Sequence, residues 1–106
     1  MIYIIESPSY IYIGHTKQKL NKRVDGHKRR CKDFIHERKL GRGKKIKITK
    51  SIIPLIEGQW KAYIWDVEGD LKSEQNYIKN FVTFKTVVNR FPFLTLLQKV
   101  LKPDFI

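Results

Sequence analysis

Arg23 has the type to pair with a phosphate, and Glu74 to hold a cation beside one. His27, Tyr3 and Tyr12 are further side chains placed where they could serve a ligand. Arg23 and His27 stand four residues apart, so a helix makes them neighbours on one face. An arginine there suits phosphate, because its planar fork matches paired oxygens. His27 lies inside that helix's apolar stripe, where a lone histidine is commonly a satisfied core residue. Glu74 falls within a helical arc of Leu71, Tyr77, Ile78, Phe81 and Val82. A carboxylate on an inward arc is costly unless a cation or hydrogen-bond donors meet it. Two readings stay open for it, an internal salt bridge to Lys or Arg and a metal ligand. One carboxylate with waters and a phosphate oxygen is a common way to hold Mg²⁺. Tyr3 and Tyr12 complete the group. They lie on two short strands, residues 2–5 and 10–13, around the turn-rich residues 6–9. With 6–9 as a hairpin loop, Tyr3 lies opposite Tyr12 and Ile5 opposite Tyr10. The two phenols then share a face. Ile4 with Ile11 and Ile2 with Ile13 form the other face, which suits a core. The plain alternative is an ordinary hairpin, since tyrosine favours strands.

The elements that must hold these residues are short. A helix is expected over 20–35, where Leu20, Val24, His27, Cys31, Phe34 and Ile35 fall on one arc. A basic connector follows over 36–50 and carries Lys39, Arg42, Lys44, Lys45 and Lys47. Its glycines, Gly41 and Gly43, match no phosphate-loop spacing. A short helix over 48–57 contains Pro54, which breaks it or begins it. A third strand is expected over 61–67. Asp70 is a plausible N-cap for a helix over 71–81. An apolar helix over 93–101 follows the Phe91-Pro92 break.

The chain has 106 residues, of which 42% are hydrophobic, enough for one domain with a real core. Its 22 Lys and Arg against 10 Asp and Glu leave a net charge of +12. Such an excess predicts an anionic partner, with nucleic acid first and a membrane surface as the competitor. No stretch has the length of a membrane-spanning helix and no signal peptide is seen, so an intracellular site is expected. The single cysteine, Cys31, excludes an internal disulfide framework and a zinc finger or ribbon. The charge run from Lys39 onward is a solvated face by default. At this net charge it reads as surface for a nucleic-acid backbone.

Taken together, these residues resemble the GIY-YIG nuclease domain. The first motif stands as Met1-Ile2-Tyr3, with methionine in place of the family's leading glycine. The second is intact as Tyr12-Ile13-Gly14, followed by His15-Thr16. The family's helical arginine and histidine match Arg23 and His27. Its metal-binding glutamate matches Glu74 within Ser-Glu-Gln-Asn-Tyr-Ile, and its later asparagine matches Asn89. The resemblance implies an α+β fold, a small antiparallel sheet of three strands flanked by helices. Residues 1–90 would form the nuclease domain, with 91–106 as an apolar helix packed on it.

The resemblance also implies a metal-dependent DNA endonuclease leaving a 5′-phosphate and a 3′-hydroxyl. Glu74 would hold one Mg²⁺ or Mn²⁺ and Arg23 would contact the scissile phosphate. Tyr3 would be the base or orienter of the attacking water, with His27 taking or relaying the proton. Tyr12 would hydrogen-bond the phosphate or the water. Asn89 would orient Glu74 or complete the local hydrogen-bond network. Lys39, Arg42, Lys44, Lys45 and Lys47 would bind the DNA backbone. Specificity would come from loops, from a homodimer or partner protein, or from the shape of the substrate. The rival reading is a non-catalytic nucleic-acid-binding protein on the same scaffold.

Overall fold

The structure is a computed structural model that describes residues 1–39 and 49–101. Among the described residues the strands are β1 (Ile2–Glu6), β2 (Tyr10–His15), β3 (Lys61–Asp66) and β4 (Thr86–Val87). The helices are α1 (Leu20–Lys39), α2 (Ile52–Glu57), α3 (Leu71–Asn80) and α4 (Phe93–Leu101). The sheet order is β3-β1-β2-β4. β1 pairs antiparallel with both of its neighbours, and β4 runs parallel to β2. The sheet therefore has four strands rather than the three expected. β4 spans two residues, too few to show any alternation of apolar and polar side chains.

The hairpin register differs from the expected one by two residues. Tyr3 lies opposite Gly14 and Tyr12 opposite Ile5, while Ile4 pairs with Ile13. The cause is a tighter turn: Ser7 N–H donates to the Tyr10 carbonyl at 2.9 Å, leaving only Pro8 and Ser9 as the loop. A two-residue slip preserves the faces, because side chains alternate with a period of two. Both tyrosines thus stay on one face, as diagonal neighbours.

Each face has its own cover. Ile2, Ile4, Ile11, Ile13 and Val87 pack under Tyr63 of β3, Tyr77 and Ile78 of α3, and Phe81 at its end. On the other face Tyr10 joins Cys31 and Phe34 of α1, Ile52 and Ile53 of α2, and Leu96 and Leu97 of α4. The sheet is thus sandwiched between helices, and α4 belongs to the same core as α1 and α2.

Helix boundaries follow local chemistry. α1 runs four residues past the last apolar position, through His36-Glu37-Arg38-Lys39. Glu, Arg and Lys are good helix formers, and nothing there breaks the helix. α2 starts at Ile52, later than expected, so Pro54 sits in its first turn. Proline is tolerated there because no intrahelical N–H bond is required. Asp70 caps α3 by accepting from Ser73 N at 2.8 Å. The far end of α3 is closed by Arg90, which donates to the Ile78 and Phe81 carbonyls.

β4 covers only the first part of β2, pairing Thr86 with Tyr10 and Val87 with Ile11. Beyond it a side chain takes over the ladder. Asn89 Oδ1 accepts from Ile13 N at 2.9 Å, and its Nδ2 donates to Ile13 O at 2.8 Å. Replacing it should leave both backbone groups of Ile13 without partners. Asn89→Ala is expected to lose about 1–3 kcal/mol of stability, measured by urea denaturation. An unchanged midpoint would show that this clamp does not hold the edge.

Candidate active site

The long helix and the hairpin bring four of the expected residues together. β1 supplies Tyr3, β2 supplies Tyr12, and α1 supplies Arg23 and His27. The Tyr3 and Tyr12 ring centres are 6.2 Å apart, and His27 lies 5.9 Å from the first and 5.7 Å from the second. The Tyr3 hydroxyl and His27 Nε2 are 2.6 Å apart. Gly14 makes room for this arrangement. A Cβ at Gly14 would collide with the hydroxyl end of the Tyr3 ring. The glycine that closes the second motif is therefore a packing requirement of the first.

Tyr3 and His27 have no accessible surface, whereas Tyr12 and Arg23 are half-buried. Tyr3 accordingly lies one layer beneath Tyr12. Its expected role as a base needed positive surroundings to make the phenol acidic. Burial instead pushes Tyr3 above the ordinary phenol value, with the Tyr12 phenol adding to it and Arg23 only partly opposing. Tyr12 is also raised by burial, with Glu74 adding to the shift and Arg23 and Arg30 opposing it. His27 moves the other way. Burial, with help from Arg23 and Arg30, lowers it to about 4, so the ring is neutral at pH 7.

Glu74 belongs to the opposite side of the sheet. It sits on α3, half-buried, and its charge acts on Tyr12. Among the described residues no ion pair engages its carboxylate. That removes the salt-bridge reading among those residues. Asn89 bonds Ile13 and not Glu74, so of its two expected roles the structure places it in the local network. Lys39 closes α1, and Arg42, Lys44, Lys45 and Lys47 lie outside the described residues.

Three further residues join the site unforeseen. Arg30 acts on both His27 and Tyr12. Its position seven residues from Arg23 and three from His27 is a legible helical spacing. Lys50 donates to the Asn89 carbonyl at 3.2 Å. Ser51, fully buried, has its Oγ 2.7 Å from His27 Nδ1. Nothing in the sequence around Ser51 singles it out.

The two arginines, one carboxylate and two phenols leave the site positive overall, as an anionic substrate requires. Among the described residues no three of His, Cys, Asp and Glu gather into a metal cage. Residues 1–86 match the GIY-YIG catalytic domain, most of the chain, and the chain belongs to that family. Members of the family are nucleases that act on DNA. No curated protein and no solved structure matches the chain. No helix among the described residues is long and apolar enough to cross a membrane.

The neutral imidazole has a consequence for stability. An unfolded His27 takes up a proton near pH 6.5, whereas the native ring stays neutral down to about pH 4. Protons therefore favour the unfolded chain in that window. Stability is expected to fall by roughly 3 kcal/mol between pH 6.5 and 4 on this account, and to level off below. Denaturation of the parent and of His27→Gln across that range checks it. The same slope in both would assign the loss to other groups.

Proposed function

We propose that the chain is a divalent-metal-assisted DNA endonuclease that leaves a 5′-phosphate and a 3′-hydroxyl. The observation that carries this reading is the convergence on Tyr12. Arg23 and Arg30 act on it from α1, and Glu74 acts on it from α3. A phosphate brought there meets two guanidinium groups, which suit its charge in the ground state and more so in the transition state.

The Glu74 carboxylate fits a single hard cation. It is half-buried, and no described basic side chain pairs with it. One carboxylate, with waters and a phosphate oxygen, is the usual donor set for Mg²⁺. Such an ion, when bound, neutralises phosphate charge and makes its waters more acidic. The remaining work falls to side chains of this chain. Arg23 and Arg30 hold the non-bridging oxygens. Tyr12, the more accessible phenol, hydrogen-bonds the phosphate or the attacking water. Tyr3 works from beneath, giving its proton to neutral His27 as it receives one from the water side. Lys39, Arg42, Lys44, Lys45 and Lys47 contact the DNA backbone. Substrate choice comes from loops, a second copy or partner, or the shape of branched DNA.

Incubation with plasmid and branched DNA tests the proposal. Nicking with Mg²⁺ that stops with EDTA is expected. Glu74→Ala should lower cleavage by about a thousandfold or more while DNA retention stays near the parent level. Salt-sensitive DNA binding with no cleavage in any metal would favour the non-catalytic binder instead. Full activity of Glu74→Ala would remove the metal role.

A further inference from the structure

The hydrogen bond between Tyr3 and His27 is the inner end of a longer chain. His27 Nδ1 lies 2.7 Å from Ser51 Oγ, and Ser51 Oγ lies 2.6 Å from Thr49 Oγ1. Tyr3, His27 and Ser51 have no accessible surface, whereas Thr49 is half-buried. The chain therefore runs from the dry interior beneath Tyr12 to a partly accessible hydroxyl just before α2. Ser51 precedes α2 at its N-cap position, yet its side chain makes no capping bond. A serine there ordinarily accepts from a free helical N–H. This one is turned to the imidazole instead.

The direction of the bonds follows from acidity. A neutral imidazole carries one proton, so one ring nitrogen donates and the other accepts. A phenol is a far stronger acid than a neutral imidazole N–H. With the stronger acid as donor, Tyr3 Oη–H would donate to Nε2, Nδ1–H to Ser51 Oγ, and Ser51 Oγ–H to Thr49 Oγ1.

We infer that Ser51 is a positioning residue that fixes His27 as its Nδ1–H tautomer, and that Thr49 forms the outer end of a proton relay from Tyr3. The inference rests on the nuclease reading for its role in cleavage. In the step, the Tyr3 O–H bond breaks as a new N–H bond forms at Nε2. The Nδ1 proton passes to Ser51 Oγ, the Ser51 proton passes to Thr49 Oγ1, and the Thr49 proton leaves to water. The attacking water gives a proton to the accessible Tyr12 hydroxyl as Tyr12 passes its own to Tyr3. The remaining hydroxide oxygen forms the new P–O bond while the bond from phosphorus to the 3′ oxygen breaks, and that oxygen takes up a proton from solvent. No electron is exchanged with an outside group, and every proton that enters the relay leaves it.

The first test does not depend on cleavage. Nitrogen-15 spectra of the histidine rings in the unaltered protein report which nitrogen of His27 carries the proton at neutral pH. An Nδ1–H ring is expected, and an Nε2–H ring would overturn the relay whether or not the protein cuts DNA. The second test uses Ser51→Ala and Thr49→Val. Ser51→Ala should lower kcat by about ten- to a hundredfold with KM for DNA unchanged, and should mix the His27 tautomers. Thr49→Val should lower kcat by less while leaving the tautomer intact. Parent-level kcat in a folded Ser51→Ala would overturn the inference. A rise in KM alone would do the same, since it would make Ser51 part of the DNA surface. If the unaltered protein cuts no DNA, the nuclease reading fails, and the tautomer still decides what Ser51 does.

Discussion

A buried phenol and a buried imidazole, held at hydrogen-bond distance, join the central strand to the longest helix. Neither group tolerates burial alone, because an unpaired polar atom in a dry interior costs several kcal/mol. Each therefore fixes the other, and both constrain their surroundings. The Tyr3 ring needs the space above residue 14, which leaves glycine as the residue that fits. The far nitrogen of His27 needs a partner, which brings the start of α2 under the helix with Ser51 in place. The register of the hairpin, the position of α1 and the entry to α2 are thus three answers to one satisfaction problem.

The same sheet carries Glu74 on a helix packed against its other face. β4 is short, and beyond it β2 would present bare backbone groups. Asn89 solves this with a single side chain, whose amide pairs with both backbone groups of Ile13 as a strand would. A side-chain rung keeps the ladder satisfied where β4 ends, while α3 packs on the opposite face and the Glu74 charge acts on Tyr12. The short strand and the asparagine thus hold β2, the strand that carries Tyr12.

These features were unequally visible in the sequence. Tyr3 and Tyr12 fell on one face despite the misplaced turn, because face depends only on parity, which a two-residue slip preserves. His27 was legible as a stripe residue, and its burial followed from helical spacing. α4 was legible from end to end, since Pro92 precedes it and its apolar residues recur at helical intervals. β4 was not, for want of length. Ser51 was not, because its partner lies across a chain reversal that no local pattern encodes. The unequal burial of the two phenols was also hidden. Which tyrosine is buried depends on the ring packing over Gly14, a contact between strands.

Desolvation shapes the proton chemistry more than charge does. It disfavours the charged form of every group, so it raises a phenol and lowers an imidazole. That is what happens to Tyr3 and His27, and the two groups are driven apart. At rest the proton therefore stays on Tyr3, and a free phenolate beside an imidazolium is a costly state. Arg23 favours the phenolate and opposes the imidazolium, so it cannot make the separated pair cheap by itself. A site built this way works best when no separated pair forms. Tyr3 then gains a proton on one side as it loses one on the other, and His27 does the same at its two nitrogens. The dry interior that makes Tyr3 a poor base in isolation is thus compatible with proton transfer that passes straight through it.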